Sequence, residues 1–473
     1  MATFFKNLKW IAYGALALFS AVALSWLLVP DEALNPEAAA FVAQPATPPS
    51  ARNASFLIWG LPASPELDAH TVGRRIVAAQ DRLAAAQRDS TDFKEQDFLG
   101  ANPWTLPKEM KLKPLCDAER ENCLRVYQNM PAEIEQEIVS RTVFLERYRS
   151  IRNYDEFVSA NSKITETTAF PDWRPVRRMS ELVSASIALD MRFDDKREMA
   201  LKELAADVRF WRKILTSNDE LFTQMMAAPA LILKYRLASE IMNAYPKVID
   251  LYPDLMKTIT APITVAEATN VSAVKTEARS RMQYLWNLGL GDESISQWKF
   301  DRTNVGDILG PIGPKVAYQP HASINDAYTA YTLIAVHLAK PPKTFLATDA
   351  AFKEELAQIT QFRPKDLFFN FSGRLGLNKG LLDFNIFNIY YFRMIDLVGL
   401  SRLVDLQRNL MATKVPFHQI AETVASFGSE RMNPYTEQPM QWTPQTRQLS
   451  FEWHGKRFAD FGFVDVALAS RPQ

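Results

Sequence analysis

Residues 177–243 read RRMSELVSASIALDMRFDDKREMALKELAADVRFWRKILTSNDELFTQMMAAPALILKYRLASEIMN. Apolar positions recur at helical spacing through 177–190, 194–216 and 218–243, the period of amphipathic helices. The breaks fall at Met191-Arg192-Phe193-Asp194 and at Ser217-Asn218, where Ser217 or Asn218 would serve as N-cap. Helices this close in sequence pack as antiparallel hairpins. The block resembles a stacked helical repeat only in outline. The tryptophan, glycine and alanine positions of a tetratricopeptide unit do not recur at a period of about 34 residues.

Outward from this block the same period continues. Residues 70–89 place Val72, Ile76 and Leu83 at helix-compatible spacing. Residues 131–154 carry Ile134, Ile138, Val143, Leu145 and Tyr148, with Glu133, Glu135 and Glu137 early and Arg147, Arg149 and Arg152 late, an order that complements the helix dipole. Further helices are expected at 246–258, 264–288, 324–339, 349–361, 384–411 and 416–426. The 384–411 stretch contains the apolar run FNIFNIYYF, but Arg393 and Asp396 fall inside it. Midspan charges make a lipid-exposed helix costly, so it reads as a buried helix with Arg393 and Asp396 paired at i and i+3. In the tail, LSFEW (449–453), His454-Gly455 and KRFADFGFVDVALA (456–469) read as two strands about a tight turn. The expected fold is mainly α: a multi-helical domain of antiparallel hairpins with a small C-terminal β-hairpin.

The N-terminus differs. Residues 10–29, WIAYGALALFSAVALSWLLV, carry no charged side chain. As a helix they extend about 30 Å, the thickness of a bilayer's hydrocarbon core. Trp10, Tyr13 and Trp26 sit near the ends, Lys6 and Lys9 precede the stretch, and Asp31, Glu32 and Glu37 follow it. Aromatic rings favour the headgroup level, and basic residues stay cytoplasmic. The expected organisation is a cytoplasmic N-terminus (1–9), a transmembrane helix (10–29), a Pro/Ala-rich linker (30–53), a helical periplasmic domain (54–430) and a C-terminal turn and hairpin (431–473). Extended, the linker would hold the domain up to roughly 70 Å from the bilayer. The alternative is a cleaved signal peptide with Ala38-Ala39-Ala40 at the cleavage site, although the apolar run is longer than a usual signal core.

The chain is 47% apolar and 23% charged, an ordinary globular balance, and its 54 basic residues equal its 54 acidic ones. That neutrality argues against nucleic acid or anionic lipid as a main partner, since either would call for a basic excess. The run Arg174-Pro175-Val176-Arg177-Arg178 is too short to change this and reads as a solvated face. Two cysteines occur, Cys116 and Cys123. On a continuous helix their α-carbons would lie about 10.5 Å apart, beyond the roughly 7 Å a disulfide bridges. A bridge therefore requires a turn, which Asp117 and Asn122 would supply. In an oxidising compartment pairing is the expected fate, worth about 2–3 kcal/mol in the chain-entropy model. Unpaired thiols are the alternative. Redox chemistry lacks its Cys-x-x-Cys spacing, and no further zinc ligand is suitably spaced.

No catalytic, cofactor-binding or metal-ligating residue is assigned. His70, His321, His337, His418 and His454 form no metal spacing, and no nucleophile elbow, Walker loop or dinucleotide fingerprint occurs. Gly310-Pro311-Ile312-Gly313-Pro314-Lys315 has prolines where a phosphate cradle needs N–H donors. Glu293, near Trp298, faintly resembles a peptidoglycan-cleaving Glu-Ser without the rest of that signature. Phe368, Phe369, Phe371, Phe384, Phe387, Tyr390, Tyr391 and Phe392 crowd one region and read as core packing.

Several short elements carry a resemblance: Ala54 to Gly60 with Gly73, Cys116-Asp117 with Cys123-Leu124, and Asp207 with Trp211-Arg212. Gln319-Pro320-His321-Ala322-Ser323-Ile324-Asn325 and Asn433-Pro434-Tyr435-Thr436-Glu437-Gln438-Pro439-Met440-Gln441-Trp442 complete the set. Together they resemble a loosely defined group of single-pass, membrane-anchored envelope proteins of Gram-negative bacteria. The last element is similar to an Asp-Pro-Tyr-Thr-Gly-Lys-Pro pattern and departs from it at Asn433, Glu437 and Gln438. The group has no established activity, so the resemblance implies an inner-membrane anchor and a periplasmic domain but no catalytic role. Read physically, 319–325 delivers Ser323 as N-cap to a helix, and 433–442 is a rigid turn presenting Tyr435 and Trp442. Both are structural joints or, alternatively, a contact surface comprising Gln319, Asn325, Tyr435 and Trp442.

The resulting expectation is a membrane-tethered periplasmic scaffold or adaptor that binds another envelope protein. The runner-up is an envelope enzyme or ligand-binding protein acting on cell-wall or lipid material. An enzyme would show a cleft with converging acidic or histidine groups of shifted pKa; a scaffold would show an exposed apolar patch or groove without them.

Overall fold

A computed structural model of the chain describes residues 13–14, 16–17, 20–22, 24, 29–43, 50–85, 93–104, 114–154, 156–159, 170–217, 220–290, 318–379, 384–455 and 463–468. In chain order the helices are α1 (Pro36–Ala43), α2 (Ala54–Gly60), α3 (Ala69–Ala85), α4 (Cys123–Gln128), α5 (Pro131–Ser140), α6 (Thr142–Ile151), α7 (Trp173–Asp190), α8 (Arg197–Ser217) and α9 (Leu221–Ala244). There follow α10 (Lys247–Leu251), α11 (Pro253–Ile259), α12 (Val265–Ala268), α13 (Val271–Leu290), α14 (Pro320–Leu338), α15 (Pro342–Thr360), α16 (Asp366–Phe369), α17 (Phe371–Lys379), α18 (Phe384–Ala412) and α19 (Ile420–Ser426). Strands β1 (Gln441–Thr443), β2 (Gln448–Glu452) and β3 (Phe463–Ala467) come last.

The core is built around α9 and α18. Apolar residues lie on every side of both helices, the pattern of a helix surrounded by others. Ala227, Leu231, Tyr235, Leu237, Ala238, Ile241 and Met242 of α9 are buried, as are Ile395, Leu397, Val398, Leu403, Val404 and Leu406 of α18. The two pack on each other, α9 also meets α8, α7 and α4, and sequence neighbours such as α13 with α14 and α14 with α15 pack together. Each fully buried Leu or Ile contributes about 1.5–3 kcal/mol.

Helix boundaries move where local chemistry overrides the period. The 131–154 stretch breaks at Arg141, which has φ −123° and closes α5 while opening α6. Residues 246–258 break at Tyr252, because Pro253 starts α11 at the position where a missing N–H costs nothing. Residues 264–288 break after α12, which opens on a capping box between Thr264 and Glu267. Helix α8 runs through Ser217, and Glu220 occupies the N-cap position of α9; Asn218 lies outside the described residues.

The C-terminal hairpin is part of a three-stranded antiparallel sheet, β1-β2-β3, with Trp442 opposite Leu449 and Leu449 opposite Val466. The β2–β3 connection is not a tight turn at His454-Gly455. It spans 453–462, of which 456–462 lie outside the described residues. The reason is Asp396 on α18, whose carboxylate accepts from His454 N at 3.2 Å and Gly455 N at 2.7 Å. The expected Arg393–Asp396 pair is corrected accordingly: Arg393 lies over the Tyr390 ring at 5.2 Å, and Asp396 is taken instead by Tyr435, His454 N and Gly455 N. Sheet and helix approach closely because Gly399 faces Phe451; a Cβ there would lie 2.2 Å from the ring.

At the other end of the chain, α2 and α3 touch backbone to backbone. A Cβ on Gly60 would stand 1.7 Å from Ala69 O, and one on Gly73 1.7 Å from Phe56 O. Cys116 and Cys123 form a disulfide with α-carbons 5.7 Å apart. The turn between them is built as expected: Arg120 N and Glu121 N donate to Asp117 O, and Asn122 caps α4 through Arg125 N at 2.9 Å.

The segment expected to be an extended linker is instead docked over 29–43. Asp31 accepts from His321 N (2.7 Å) and Ala322 N (3.1 Å), so it caps α14 from outside. This overturns Ser323 as N-cap: α14 already begins at Pro320, and the Ser323 hydroxyl donates back to Gln319 O at 2.8 Å. Asn325 donates to Glu32 Oε1 (2.7 Å) and Ala33 O (3.0 Å) and accepts from Asn35 N (2.8 Å). Helix α1 then packs on α13 and α14 with Ala38 fully buried. The roughly 70 Å reach of an extended chain is therefore not realised over these residues; the proline cluster at 45–49 lies outside the described ones. Among the described residues no helix is long and apolar enough to cross a membrane. Of the stretch 10–29, residues 13–14, 16–17, 20–22 and 24 are described as helical, and Lys6, Lys9, Trp10 and Trp26 lie outside the described residues.

Candidate functional site

A cleft of about 420 Å³ opens between the end of α6, the strand-like residues after it and one face of α8. Helix α6 supplies Arg149 and Ile151, followed by Arg152. Helix α8 supplies Ala206, Arg209, Phe210, Lys213 and Ile214, positions three or four apart that share a helical face. Ala54 and Glu156 close one end, where Ala54 N donates to Glu156 O at 2.8 Å and the buried Asn53 side chain bonds Val158 N and O.

Four of the lining side chains are cationic and one, Glu156, is a carboxylate, above a floor of Ile151, Phe157, Phe210 and Ile214. Arg149 and Arg152 share Glu203 at 2.8 and 3.3 Å, and Arg152 also reaches Asp207 at 3.3 Å. Lys213 donates to Tyr154 O at 2.6 Å, and Arg209 is exposed at the mouth. This arrangement favours an anionic group with an apolar neighbour.

Behind the cleft lies a closed polar network. Asp207 and Lys234 are both fully buried and 2.8 Å apart. Asp207 also accepts from the Tyr148 hydroxyl at 2.7 Å, and Trp211 Nε1 donates to that hydroxyl and to Ser180 Oγ, each at 3.0 Å. Lys234 donates further to Ser180 O at 2.9 Å and to Ser184 Oγ. Burial pulls the Lys234 ammonium below its ordinary value and, with the Asp207 charge, drives the Tyr148 hydroxyl well above its own. Burial opposes the Arg152 charge too, but Asp207, Tyr148 and Glu203 outweigh it and hold the guanidinium above its usual range. Through its contact with Asp207 the network holds Arg152 in place for the cleft.

Other shifted groups are dispersed. Burial raises Glu240 to about 7, where it accepts from Cys123 N and Leu124 N, and it raises Glu95 to about 7 and Asp326 to about 6. His337 is pressed between Phe345 and Phe352, His70 stacks on Tyr154, His321 on Trp286, and His454 meets Tyr435. Among the described residues no group of His, Cys, Asp and Glu is arranged to hold a metal ion. The basic run at 174–178 is neutralised locally, with Arg174 on Asp172, Arg177 on Glu181, and the buried Arg178 between Glu137 and Glu181. Glu293, Trp298 and the 310–315 loop lie outside the described residues.

The four residues offered as a contact surface are not brought together. Tyr435 is 2% exposed, and its hydroxyl donates to Asp396 Oδ1 at 2.6 Å. Gln319 is 8% exposed and donates to Val29 O at 3.1 Å. Asn325 is engaged by residues 32–35, and Trp442 packs edge-on against Phe417. Both elements therefore act as joints, one for the sheet and one for the docked N-terminal segment. The crowded aromatics divide: Phe387, Tyr390 and Tyr391 are core, whereas Phe368 is 37% exposed and Phe371 half-buried. In the sequence Arg149 and Arg152 read only as dipole partners, and the one signal for Arg209 and Lys213 is their spacing on α8. Comparison with protein-family models, curated proteins and solved structures finds no match to the chain.

Proposed function

We propose that the chain is a single-pass, membrane-tethered protein of a bacterial envelope whose periplasmic helical domain works as a scaffold, binding an acidic segment of a partner protein. The observation that carries the binding half is the cleft, where Arg149, Arg152, Arg209 and Lys213 surround an apolar floor. Cations beside apolar side chains recognise a carboxylate-bearing peptide by charge and by contact. The one carboxylate of the lining, Glu156, accepts from Ser50 N at 2.6 Å, and no histidine lines the cleft. The uncharged stretch 10–29 behind Lys6 and Lys9 supports the tether, and the Cys116–Cys123 disulfide suits an oxidising space. The resemblance to single-pass envelope proteins points the same way.

The test is a photo-crosslinking residue at Ala206, inside the cleft, in native membranes. A discrete partner captured there and lost in Arg209→Glu supports the scaffold. A small anionic cell-wall or lipid component bound at the cleft, with no protein captured, would favour the runner-up, an envelope enzyme or ligand-binding protein. A phosphatase reporter fused after residue 473 that is inactive in intact cells would overturn the periplasmic orientation.

A further inference from the structure

Gln319 links two parts of the molecule that have no sequence relation. Its side-chain amide donates to Val29 O at 3.1 Å, and its backbone N–H donates to Asn370 Oδ1 at 3.0 Å. Val29 is the last residue of the uncharged stretch, and Asn370 sits between α16 and α17 in QFRPKDLFFNF, residues 361–371. Two hydrogen bonds and one glutamine thus place Asn370 on the order of 10–15 Å from Val29, with Phe371 beside it and Phe362 against Phe371. The link is firm at the Asn370 end: Asn370 is 1% exposed and donates to Ser323 Oγ at 3.0 Å, and a Cβ on Gly373 would collide with Ser323 Oγ at 2.0 Å.

This end of the domain carries aromatic surface. Phe362 and Phe368 are each 37% exposed, and Phe369 and Phe371 are half-buried, with Phe362 edge-on to Phe371 at 5.7 Å. Lys365 is exposed among them, and Arg363 is held by Asp366. The nearby acids of the docked segment are engaged, Asp31 by the amides of α14 and the exposed Glu32 by Asn325. Aromatic rings with a flanking lysine are the side chains that settle at the boundary between hydrocarbon and headgroups.

We propose that Phe362, Phe368 and Lys365 form a lipid-contact surface that rests in the headgroup layer and fixes the domain's orientation on the bilayer. This rests on the reading of 10–29 as a membrane span. The occupant is a phospholipid surface because the exit point of the apolar stretch is tied to the same patch.

The experiment uses the full chain in nanodiscs of phosphatidylethanolamine and phosphatidylglycerol, with the native disulfide intact. Spin labels are placed one at a time at Leu16→Cys, Phe368→Cys and Val139→Cys, the last 75% exposed on α5. Phe362→Cys repeats the measurement if Phe368→Cys fails to fold. The expected result is a lipid-buried label at 16 and a label at 368 whose ratio of oxygen to nickel-chelate accessibility is several-fold above that at 139. Equal ratios at 368 and 139 with a lipid-buried label at 16 overturn the contact surface and leave the tether standing. A water-exposed label at 16 overturns the tether and the proposal with it.

Discussion

The Tyr435 hydroxyl donates to Asp396 Oδ1 across 2.6 Å, and neither residue reaches solvent appreciably. Asp396 is held by three donors, Tyr435, His454 N and Gly455 N, and through them α18 holds the C-terminal sheet. Burial pushes the Asp396 carboxyl up to about 7, against those donors. Tyr435→Phe removes one charge-assisted bond and should destabilise by about 1.5–3 kcal/mol. Asp396→Asn should cost more, because an amide NH₂ then faces backbone N–H groups. Urea unfolding checks both; a Tyr435→Phe variant as stable as the parent would show that the hydroxyl is not holding the sheet.

The docked N-terminal segment makes a separate prediction. Asn325 makes three hydrogen bonds to residues 32–35 and lies on the solvent side of α14. Asn325→Ala should release this segment without unfolding the domain, since the core on α9 and α18 is untouched. A local loss of about 1–3 kcal/mol corresponds to roughly five- to 150-fold faster amide exchange over residues 31–43. Unchanged exchange there would place the hold elsewhere, on Asp31 and the amides of α14.

Acid should weaken the α14–α15 packing. His337 is 1% exposed, stacked on Phe352 at 3.9 Å. Burial pulls its pKa down to about 4, with Lys340 and Lys353 adding to burial and Asp349 opposing it. The folded value lies below the unfolded value of about 6.5, so the unfolded chain binds a proton that the folded chain refuses. This contribution to stability is full above pH 6.5 and falls as pH drops toward 4, by about 2–3 kcal/mol at the lower end. Glu240, Glu95, Asp326 and Asp396 titrate with the opposite sign, so the measurement is the difference between the parent and His337→Leu. Parallel pH profiles for the two would dismiss the buried neutral histidine.

The helices were legible because a 3.6-residue period is local, and the disulfide because its spacing required a turn that Asp117 and Asn122 provide. The dock of 29–35 on 319–325 was not, since its partners are some 290 residues apart and an Ala/Pro-rich stretch reads alike whether extended or held. The cleft was hidden for a related reason: Arg209 and Lys213 look like ordinary solvated cations until α6 is placed opposite. Lys234, inside ALILKYRLA, gave a stronger signal, a charge in a helix apolar on all sides, whose partner Asp207 lies a helix away. The short elements behind the family resemblance fall at packing joints: Gly60 with Gly73, Cys116 with Cys123, Asp207 with Trp211, Gln319 with Val29, and Tyr435 with Asp396. They inform on architecture, and the cations lining the cleft, Arg149, Arg152, Arg209 and Lys213, fall outside all of them.

One departure from that resemblance has a backbone explanation. Glu437 stands where the pattern has glycine, and its φ is 58°, the left-handed region that L side chains avoid. The turn needs that conformation: Asn433 N donates to Gln438 O at 2.8 Å, and Glu437 N donates to Asn433 O at 2.9 Å. The Glu437 side chain is exposed and meets Lys343 at 3.2 Å on the surface, an ion pair worth about 0–1 kcal/mol there. Left-handed backbone costs a side-chain-bearing residue about 1–2 kcal/mol, and glycine returns part of that through its freer unfolded chain. Glu437→Gly should therefore stabilise by about 0.5–1 kcal/mol, seen as a higher urea midpoint at constant slope. Glu437→Ala, which loses the ion pair and keeps the Cβ, should be neutral or slightly destabilising. If the alanine variant matches the glycine variant, the gain comes from removing the charge, and the strain at φ 58° is not what the turn pays for.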